Sequence, residues 1–354
     1  MAWRRVRLAF TPGFSVEFAG RDRALEFIED LAERGTYPVY VVYGPEGCGK
    51  TALFMQAVEI LEDYGYSVSM VSPLARRWGE RLVTSRDLRE LASGVISALT
   101  TLGAERLLDA AIEILYKAYR RGISRRVALL ADDIFQAAGL DRAEQLVKSL
   151  LNMIEYPSID YERIVVLVSS SEGVTRAKVG RHRWAHIYTL WNMDREGFRE
   201  LYNQLPGSKP GFDRVWRLAG GNPWVLAELY ANNWDAGRVI DLIAGRGLEG
   251  LIAGLTRGQL KILEEALEDP DALIEELKKA ETLKGKKEAS RLIDRLVELN
   301  MILYTIPERK EHLWIDRPPP ERDPELGIGR HVAWQTPLHR EALRKTLEYM
   351  KAGS

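Results

Sequence analysis

The chain has 354 residues, of which 46% are hydrophobic and 29% are charged, enough apolar material for a core and enough charge for a polar surface. The length favours two or three domains, and no apolar run approaches the roughly 20 residues that span a bilayer. The net charge of -1 gives no overall attraction to nucleic acid, and one cysteine excludes an intrachain disulfide and a cysteine-rich zinc site. We therefore expect a cytoplasmic protein without membrane attachment, and sparse Asn and Gln beside abundant Arg, Lys and Glu suggest a thermophile.

The first informative motif is the glycine-rich segment GPEGCGKT at residues 44–51. It fits G-x-x-x-x-G-K-[ST], follows the apolar run PVYVVY and precedes the helical pattern TALFMQAVEILEDYG. A strand before and a helix after are the context that a phosphate-binding loop requires. The residues expected to bind the nucleotide here are Gly44, Pro45, Glu46, Gly47, Cys48, Gly49, Lys50, Thr51 and Ala52.

The residue types of this loop have separate roles. Its glycines let backbone N–H groups turn toward phosphate oxygens, and the start of the helix adds a favourable dipole. Lys50 is expected to contact the β- and γ-phosphates and to take part in catalysis, while the Thr51 hydroxyl is expected to bind Mg²⁺. The sequence thus predicts ATP or ADP as the ligand and Mg²⁺ as the cofactor.

An acidic pair follows the second buried-strand pattern, RRVALLADDIFQ. A carboxylate after an apolar strand lies at the carboxyl edge of the sheet, beside the phosphate-binding loop. We expect Asp132 to hold Mg²⁺, usually through water, and Asp133 to act as the general base for the attacking water. The next apolar run, RIVVLVSSS, ends in serines, of which Ser170 is a candidate contact for the γ-phosphate or the water; a serine-rich turn is the alternative.

The remaining patterns alternate strands and helices, and then become helical. YSVSMVS and HIYTL predict further strands, with helical patterns such as SRDLRELASGVISALTTL between them, and this alternation predicts a parallel α/β sheet. Helical patterns fill residues 194–250 and continue after the glycine-rich segment AGRGLEGLIAGL. LYTIP and HVAWQTP predict two strands around a charged loop, and LHREALRKTLEYM predicts a last helix.

Helices followed by a two-stranded wing favour a winged helix, which is a relative of the helix-turn-helix. The cations on its candidate recognition helix suggest double-stranded DNA as a partner, and they are Lys284, Lys286, Lys287, Arg291 and Arg295. This region carries about as many acids as bases, so a protein-binding or lid-packing winged helix is an open alternative.

Four segments together resemble the archaeal ATPase family, which comprises P-loop proteins of the AAA+/STAND kind related to origin-recognition initiators. The segments are FAGRDRALEFIEDL, GPEGCGKT, LLADDIFQ and LAGGNPWVLAELY. The resemblance implies an α/β P-loop NTPase domain with a parallel sheet and extra strands between the two phosphate-site motifs. An α-helical lid and a C-terminal winged-helix domain are expected to follow it, with the three domains at residues 1–193, 194–250 and 251–354.

The resemblance also implies roles for residues outside the loop. Phe18, Gly20 and Arg21 match the family's F-x-G-R segment near the adenine, and the GGNP motif that ends at Pro223 matches a lid turn that packs against the nucleotide. Arg181 matches an arginine that senses the γ-phosphate or reaches toward a neighbouring subunit, and a solvated loop charge is equally compatible with the sequence.

Two departures from the family pattern bear on the rate of hydrolysis. Asp133 stands where many AAA+ ATPases carry Glu, and no arginine directly adjoins the GGNP motif. Both favour Mg²⁺-dependent ATP binding with slow hydrolysis, in which the nucleotide state repositions the lid and the winged helix. The alternatives are a DNA-binding initiator ATPase of the origin-recognition kind, and a STAND-type signalling scaffold that forms homo-oligomers on nucleotide exchange.

Overall fold

A computed structural model of the chain describes residues 3–75, 81–96, 103–171, 183–280 and 282–352. The chain divides into two compact units. The first unit comprises Met1–Leu8, Arg21–Tyr43 and Lys50–Leu190, and the second comprises Ala9–Gly20, Gly44–Gly49 and Trp191–Ser354.

The strands, in chain order, are β1 (Arg7–Thr11), β2 (Phe14–Glu17), β3 (Val39–Tyr43), β4 (Ser67–Val71), β5 (Leu82–Thr84), β6 (Arg126–Ala131), β7 (Arg163–Ser170), β8 (Ala185–Thr189), β9 (Ile302–Leu303) and β10 (Ala333–Trp334). The helices of the first unit are α1 (Asp22–Arg34), α2 (Lys50–Asp63), α3 (Arg89–Ile96), α4 (Ala104–Arg120), α5 (Ile134–Ala138) and α6 (Ala143–Glu155). Those of the second unit are α7 (Arg195–Asn203), α8 (Phe212–Ala219), α9 (Pro223–Ala231), α10 (Ala236–Ala244), α11 (Leu248–Ala253), α12 (Arg257–Glu268), α13 (Ala272–Lys279), α14 (Leu283–Glu298) and α15 (Pro337–Ala352).

The first unit is built on a six-stranded sheet with the order β5-β4-β6-β7-β3-β8. Its pairs are parallel, except that β5 lies antiparallel to β4 at the edge. The central strands are buried along almost their whole length, since helices joining parallel strands cover both faces of such a sheet. The α/β fold with a mostly parallel sheet, and with extra strands β4 and β5 between the two motifs, is therefore confirmed.

The register of the sheet aligns the ends of three neighbouring strands. Val71 of β4 pairs with Ala131 of β6, which in turn pairs with Val168 of β7. The next residues along these three strands are Ser72, Asp132 and Ser169, so polar side chains meet at one point of the carboxyl edge. This alignment positions the acid site described below.

The described elements of the second unit between Arg195 and Glu298 are all helices, α7 to α14, as predicted for the first part of this range. A core of buried leucine, isoleucine and valine side chains joins these helices to α15. Helices α12 to α14 are followed by an antiparallel pair of two-residue strands, β9 and β10, which is the element order of a winged helix. The strands are shorter than the patterns LYTIP and HVAWQTP suggest.

One element of the structure was not predicted from the sequence, and one predicted helix lies only partly within the described residues. The patterns at the N-terminus did not predict the hairpin of β1 and β2, although its two strands are joined by a Pro-Gly turn in which Gly13 has a φ of 80°. The segment SRDLRELASGVISALTTL, predicted to be helical, begins with a 3₁₀ turn and continues as α3 to Ile96, and residues 97–102 of the segment lie outside the described residues. The division into three domains stays a prediction.

Within the part of the chain that the structure describes, no helix combines the length and the apolar character that crossing a membrane needs.

Candidate active site

The centre of the acid site is the carboxylate of Asp132, which follows β6 and is 1% exposed. Its Oδ2 atom accepts hydrogen bonds from the hydroxyls of Thr51, at 2.7 Å, and Ser72, at 3.0 Å. Its Oδ1 atom accepts one from the Ser169 hydroxyl at 2.6 Å. Three elements that are distant in sequence thus supply hydroxyl groups to one buried anion.

Burial raises the pKa of Asp132, because removing a carboxylate from water disfavours its charged form. The neighbouring carboxylate of Asp133 raises this pKa further, and the hydrogen bonds from Ser169, Thr51 and Ser72 lower it only in part. The folded protein therefore holds a carboxylate whose negative charge is poorly compensated by its hydroxyl partners. A cation beside it would favour the charged form.

Asp133 begins the turn that leads into α5, with a left-handed φ of 46°. Its backbone N–H donates to the Ser169 hydroxyl at 2.9 Å, and its Oδ1 atom accepts from the Ser171 hydroxyl at 3.0 Å. Ser169 and Ser171 contact the two aspartates because side chains two residues apart lie on the same side of an extended chain. Ser170, which the sequence singles out, is buried between them at the end of β7.

The first residues of α2 continue the glycine-rich motif. Lys50 is buried and begins the helix, while Thr51 is exposed and contacts Asp132 through its hydroxyl. Hydroxyl and carboxylate oxygens are the ligands that Mg²⁺ prefers, and it keeps several waters besides one or two protein oxygens. The pair of Thr51 and Asp132 fits that requirement. Among the described residues, no group of three or more His, Cys, Asp or Glu side chains forms a metal site.

The loop before α2, residues 44–49, packs within the second unit. Gly47 and Gly49 have φ values of 73° and 102°, which side-chain-bearing residues rarely adopt. Gly47 also lies so close to Trp224 that an added Cβ atom would be 2.3 Å from the Trp224 Cβ atom. Cys48, between the two glycines, is fully buried.

Glu46 is held through its backbone and its side chain. Its N–H donates to the Oε1 atom of Gln335 at 2.7 Å, and its carbonyl accepts from the Nδ2 atom of Asn222 at 2.9 Å. Its carboxylate pairs with the guanidinium of Arg246 at 3.1 Å, and this guanidinium also stacks over the ring of Trp224 at 4.7 Å. Glu46, the third residue of the loop, is therefore held by residues that lie 176 to 289 positions later in the chain.

A family model described as an ATPase domain predominantly from Archaea matches residues 18–229, which is more than half of the chain. The chain belongs to this family of archaeal ATPase domains. The predictions of the family and of an ATPase are thereby confirmed.

Solved structures with similarity to this archaeal ATPase include two proteins of Aeropyrum pernix. The ORC2 protein, in ADPNP-ADP complexes, is 14% identical with a TM-score of 0.46, and the match covers 97% of this chain and 98% of that one. The ORC1 protein in complex with DNA is 15% identical with a TM-score of 0.35, and the match covers 94% and 92%. No curated protein matches the sequence.

The other predicted site residues of the archaeal ATPase lie at the ends of elements. Arg21 caps α1 in a left-handed conformation, with a φ of 60°. Gly20 lies against Gly197, so that an added Cβ atom would be 2.5 Å from the Gly197 Cα atom. Phe18 is buried, and Pro223 is the first residue of α9. Arg181 lies outside the described residues. The roles of all these residues stay predictions.

The sequence did not indicate Ser72, Arg246 and Gln335 as site residues, and it indicated Ser169 only as one of three candidate serines at the end of β7. Each of Ser72 and Ser169 is a polar residue after a buried apolar run. Knowledge of the strand order would have placed both beside Asp132. Arg246 and Gln335 lie in a glycine-rich turn and after β10, respectively, where the sequence has no motif that points to the loop.

The raised pKa of Asp132 leads to a stability prediction. The folded state binds the proton of Asp132 more tightly than the unfolded state does, so the free energy of unfolding falls as the pH rises above about 4. We expect Asp132→Asn to stabilise the nucleotide-free protein at pH 8 by on the order of 1 kcal/mol. The gain should shrink at pH 5, and urea unfolding at both pH values measures it.

The matched control for this prediction is Asp109→Asn, since Asp109 lies exposed on α4. Its unfolding should change little with pH relative to the unsubstituted protein. A loss of stability in Asp132→Asn at pH 8 would contradict the conclusion that burial of this charge is unfavourable.

Proposed function

We propose that the protein binds ATP with Mg²⁺, hydrolyses it slowly, and uses the nucleotide state to control the position of the lid and of the C-terminal domain. The observation that carries the proposal is the hydrogen bond between Thr51 and Asp132, at 2.7 Å. It joins the last residue of the phosphate-loop motif to the acid that follows β6. These are the two residues of a P-loop NTPase that hold Mg²⁺.

Binding would use the backbone of the loop and the side chain of Lys50. The positive φ values of Gly47 and Gly49 support a loop whose N–H groups converge on phosphate oxygens. Thr51 and Asp132 would hold Mg²⁺, whose charge would offset that of the phosphates. Thr51 would then turn its hydroxyl from Asp132 toward the ion, and Asp132 would accept hydrogen bonds from the waters around it.

Hydrolysis would use Asp133 as the base that orients and activates water. Its side chain is one methylene shorter than the Glu of many AAA+ ATPases, and the Ser171 hydroxyl occupies one of its oxygens. A shorter carboxylate that is also held by a serine reaches the water less well, which supports slow turnover. The STAND-type alternative, with homo-oligomers as the functional form, stays a prediction.

The contacts of Glu46 support transmission of the nucleotide state. Asn222 lies in the GGNP turn and Arg246 lies between α10 and α11, so the residues of the predicted lid hold the loop directly. A loop that changes shape when phosphate binds must change or strain these contacts. Differential contacts of this kind are what a nucleotide needs to bias two positions of a domain.

Lys50→Ala tests the nucleotide site. Loss of the cation should weaken ATP binding by at least tenfold and remove hydrolysis, since charge-assisted hydrogen bonds to phosphate are strong. Isothermal titration with Mg²⁺-ATP and a phosphate-release assay measure the two effects. Lys117→Ala, at a half-exposed lysine on α4, is the control and should behave as the unsubstituted protein. Equal ATP affinity in both variants would refute the site.

Asp133→Asn tests the base. The amide cannot accept a proton from water, so hydrolysis should fall by about 10²-fold or more while the affinity for Mg²⁺-ATP stays within about threefold. Single-turnover hydrolysis and the same titration separate the two quantities. Normal hydrolysis in this variant would exclude Asp133 as the base and direct attention to the serines that surround it.

A DNA-binding initiator ATPase is the second candidate function, and one observation favours it. Lys287, Arg291 and Arg295 recur every four residues on α14 and are exposed, so they form one cationic stripe. Lys286 is exposed beside it, whereas the side chain of Lys284 lies outside the described part. An exposed stripe of this kind fits phosphate contact, which is what a recognition helix requires.

Removing two cations of this stripe tests the DNA proposal. The double variant Lys287→Gln/Arg291→Gln should bind duplex DNA more weakly and lower the slope of log K against log salt concentration by about 2, since each lost phosphate contact removes about 0.9. Fluorescence anisotropy at several salt concentrations measures the slope. Lys261→Gln/Lys278→Gln makes the same change of charge on α12 and α13. Equal slopes in the two variants would exclude the stripe as the DNA contact.

A further inference from the structure

The C-terminal part of the second unit contributes a side chain to the phosphate loop itself. Gln335 directly follows β10 and accepts a hydrogen bond from the backbone N–H of Glu46 at 2.7 Å, across 289 positions of the chain. Glu46 is the residue before Gly47, where the loop takes its first positive φ. The contact is thus made at the start of the turn that the motif uses to present its N–H groups.

The backbone of Gln335 is held by two further hydrogen bonds. It is 2% exposed, its N–H donates to the Met301 carbonyl at 2.9 Å, and its carbonyl accepts from the Nδ2 atom of Asn192 at 2.9 Å. Because both the N–H and the carbonyl of Gln335 are hydrogen-bonded, its buried side chain has little freedom to move away from the N–H group of Glu46. The side-chain oxygen is therefore a rigid acceptor for the loop.

The neighbouring peptide group is also held by a side chain. The Nδ2 group of Asn222 donates to the Glu46 carbonyl at 2.9 Å and to the Oδ1 atom of Asn192 at 2.8 Å. Asn192 therefore contacts the side chain of Asn222 and the backbone carbonyl of Gln335, and the three residues form one network around Glu46. The network fixes the peptide planes on both sides of the Glu46 Cα atom, which sets the direction in which the chain enters Gly47.

We propose that Gln335 is a positioning residue for the phosphate loop, through which the C-terminal domain slows the release of bound nucleotide. The proposal rests on the proposed nucleotide site. Phosphate binding needs the N–H groups after Glu46 to converge, and a loop held at Glu46 loses less conformational entropy on binding than a loop left free. By reciprocity, bound nucleotide stabilises the contact between Gln335 and Glu46 to the same extent.

The test compares ADP dissociation in the unsubstituted protein, Gln335→Met and Gln335→Asn. Methionine keeps the length and the burial but removes the amide oxygen, and asparagine keeps a neutral amide but withdraws its oxygen by one methylene. We expect Gln335→Met to raise the dissociation rate of a fluorescent ADP by about three- to tenfold, the effect of one hydrogen bond. Gln335→Asn should raise the rate in the same direction, and stopped-flow displacement by excess ADP measures all three rates.

Gln259→Met is the matched control, because Gln259 is 5% exposed in the same unit and bonds to Thr256 and Glu288 rather than to the loop. It should lower thermal stability without changing the dissociation rate. If Gln335→Met does not fold, Gln335→Asn alone decides, since it also takes the acceptor away from the Glu46 N–H group. Equal rates in the Gln335 variants and the unsubstituted protein, or an equal increase in Gln259→Met, would overturn the positioning role.

The same measurements separate this inference from the proposed function. If the unsubstituted protein binds no fluorescent ADP, the nucleotide site itself is wrong. If it binds and Lys50→Ala does not, the site is correct and the rates of the Gln335 variants decide the inference alone.

Discussion

The buried carboxylate of Asp132 is the group on which the arrangement of the first unit depends. Hydroxyls from α2, from the end of β4 and from β7 converge on it, and they converge because the pairing of Val71, Ala131 and Val168 brings three strand ends level. Burial of a charge with neutral partners is costly, and protein interiors normally avoid it. A cation beside Asp132 would offset this cost, which supports the proposed role of this carboxylate in holding Mg²⁺.

In the second unit, the buried polar side chains around the loop are neutral amides. Asn192, Asn222 and Gln335 are all buried, yet their amides pair with backbone groups and with one another. Both N–H groups of the Asn222 side-chain amide donate hydrogen bonds, and the Oδ1 atom of Asn222 caps α9. A satisfied amide network carries little desolvation cost and gives strong directional preference, because each amide has distinct donor and acceptor ends. It holds the two peptide groups of Glu46 in one orientation with neutral partners.

The sequence predicted the parts of the structure that depend on local pattern. The buried runs around Val41, Leu129 and Val166 became central strands, since continuous apolar runs mark strands that are covered on both faces. The motif indicated that Thr51 lies near Asp132, and a hydrogen bond joins the two side chains, while their role in holding Mg²⁺ stays a prediction. The sequence could not show which serine contacts Asp132, since that depends on the register between strands. The contacts of Arg246 and Gln335 were equally hidden, because they join segments about 200 and 289 residues from the loop.

The charges of the C-terminal domain show why composition alone does not decide what this domain binds. The guanidinium of Arg309 donates to the carbonyls of Arg330, Pro320, Glu321 and Gly329, and so it organises the proline-rich loop between β9 and β10. The carboxylate of Asp271 accepts three backbone N–H bonds near the C-terminal end of the same loop, from residues 330 to 332. These two charges serve the loop's own backbone, and because one is positive and the other negative they leave the balance of acids and bases unchanged. That balance does not show where the other charges lie, and Lys287 and Arg291 lie exposed on α14. Local placement, and not net charge, determines whether a helix of this kind meets a polyanion.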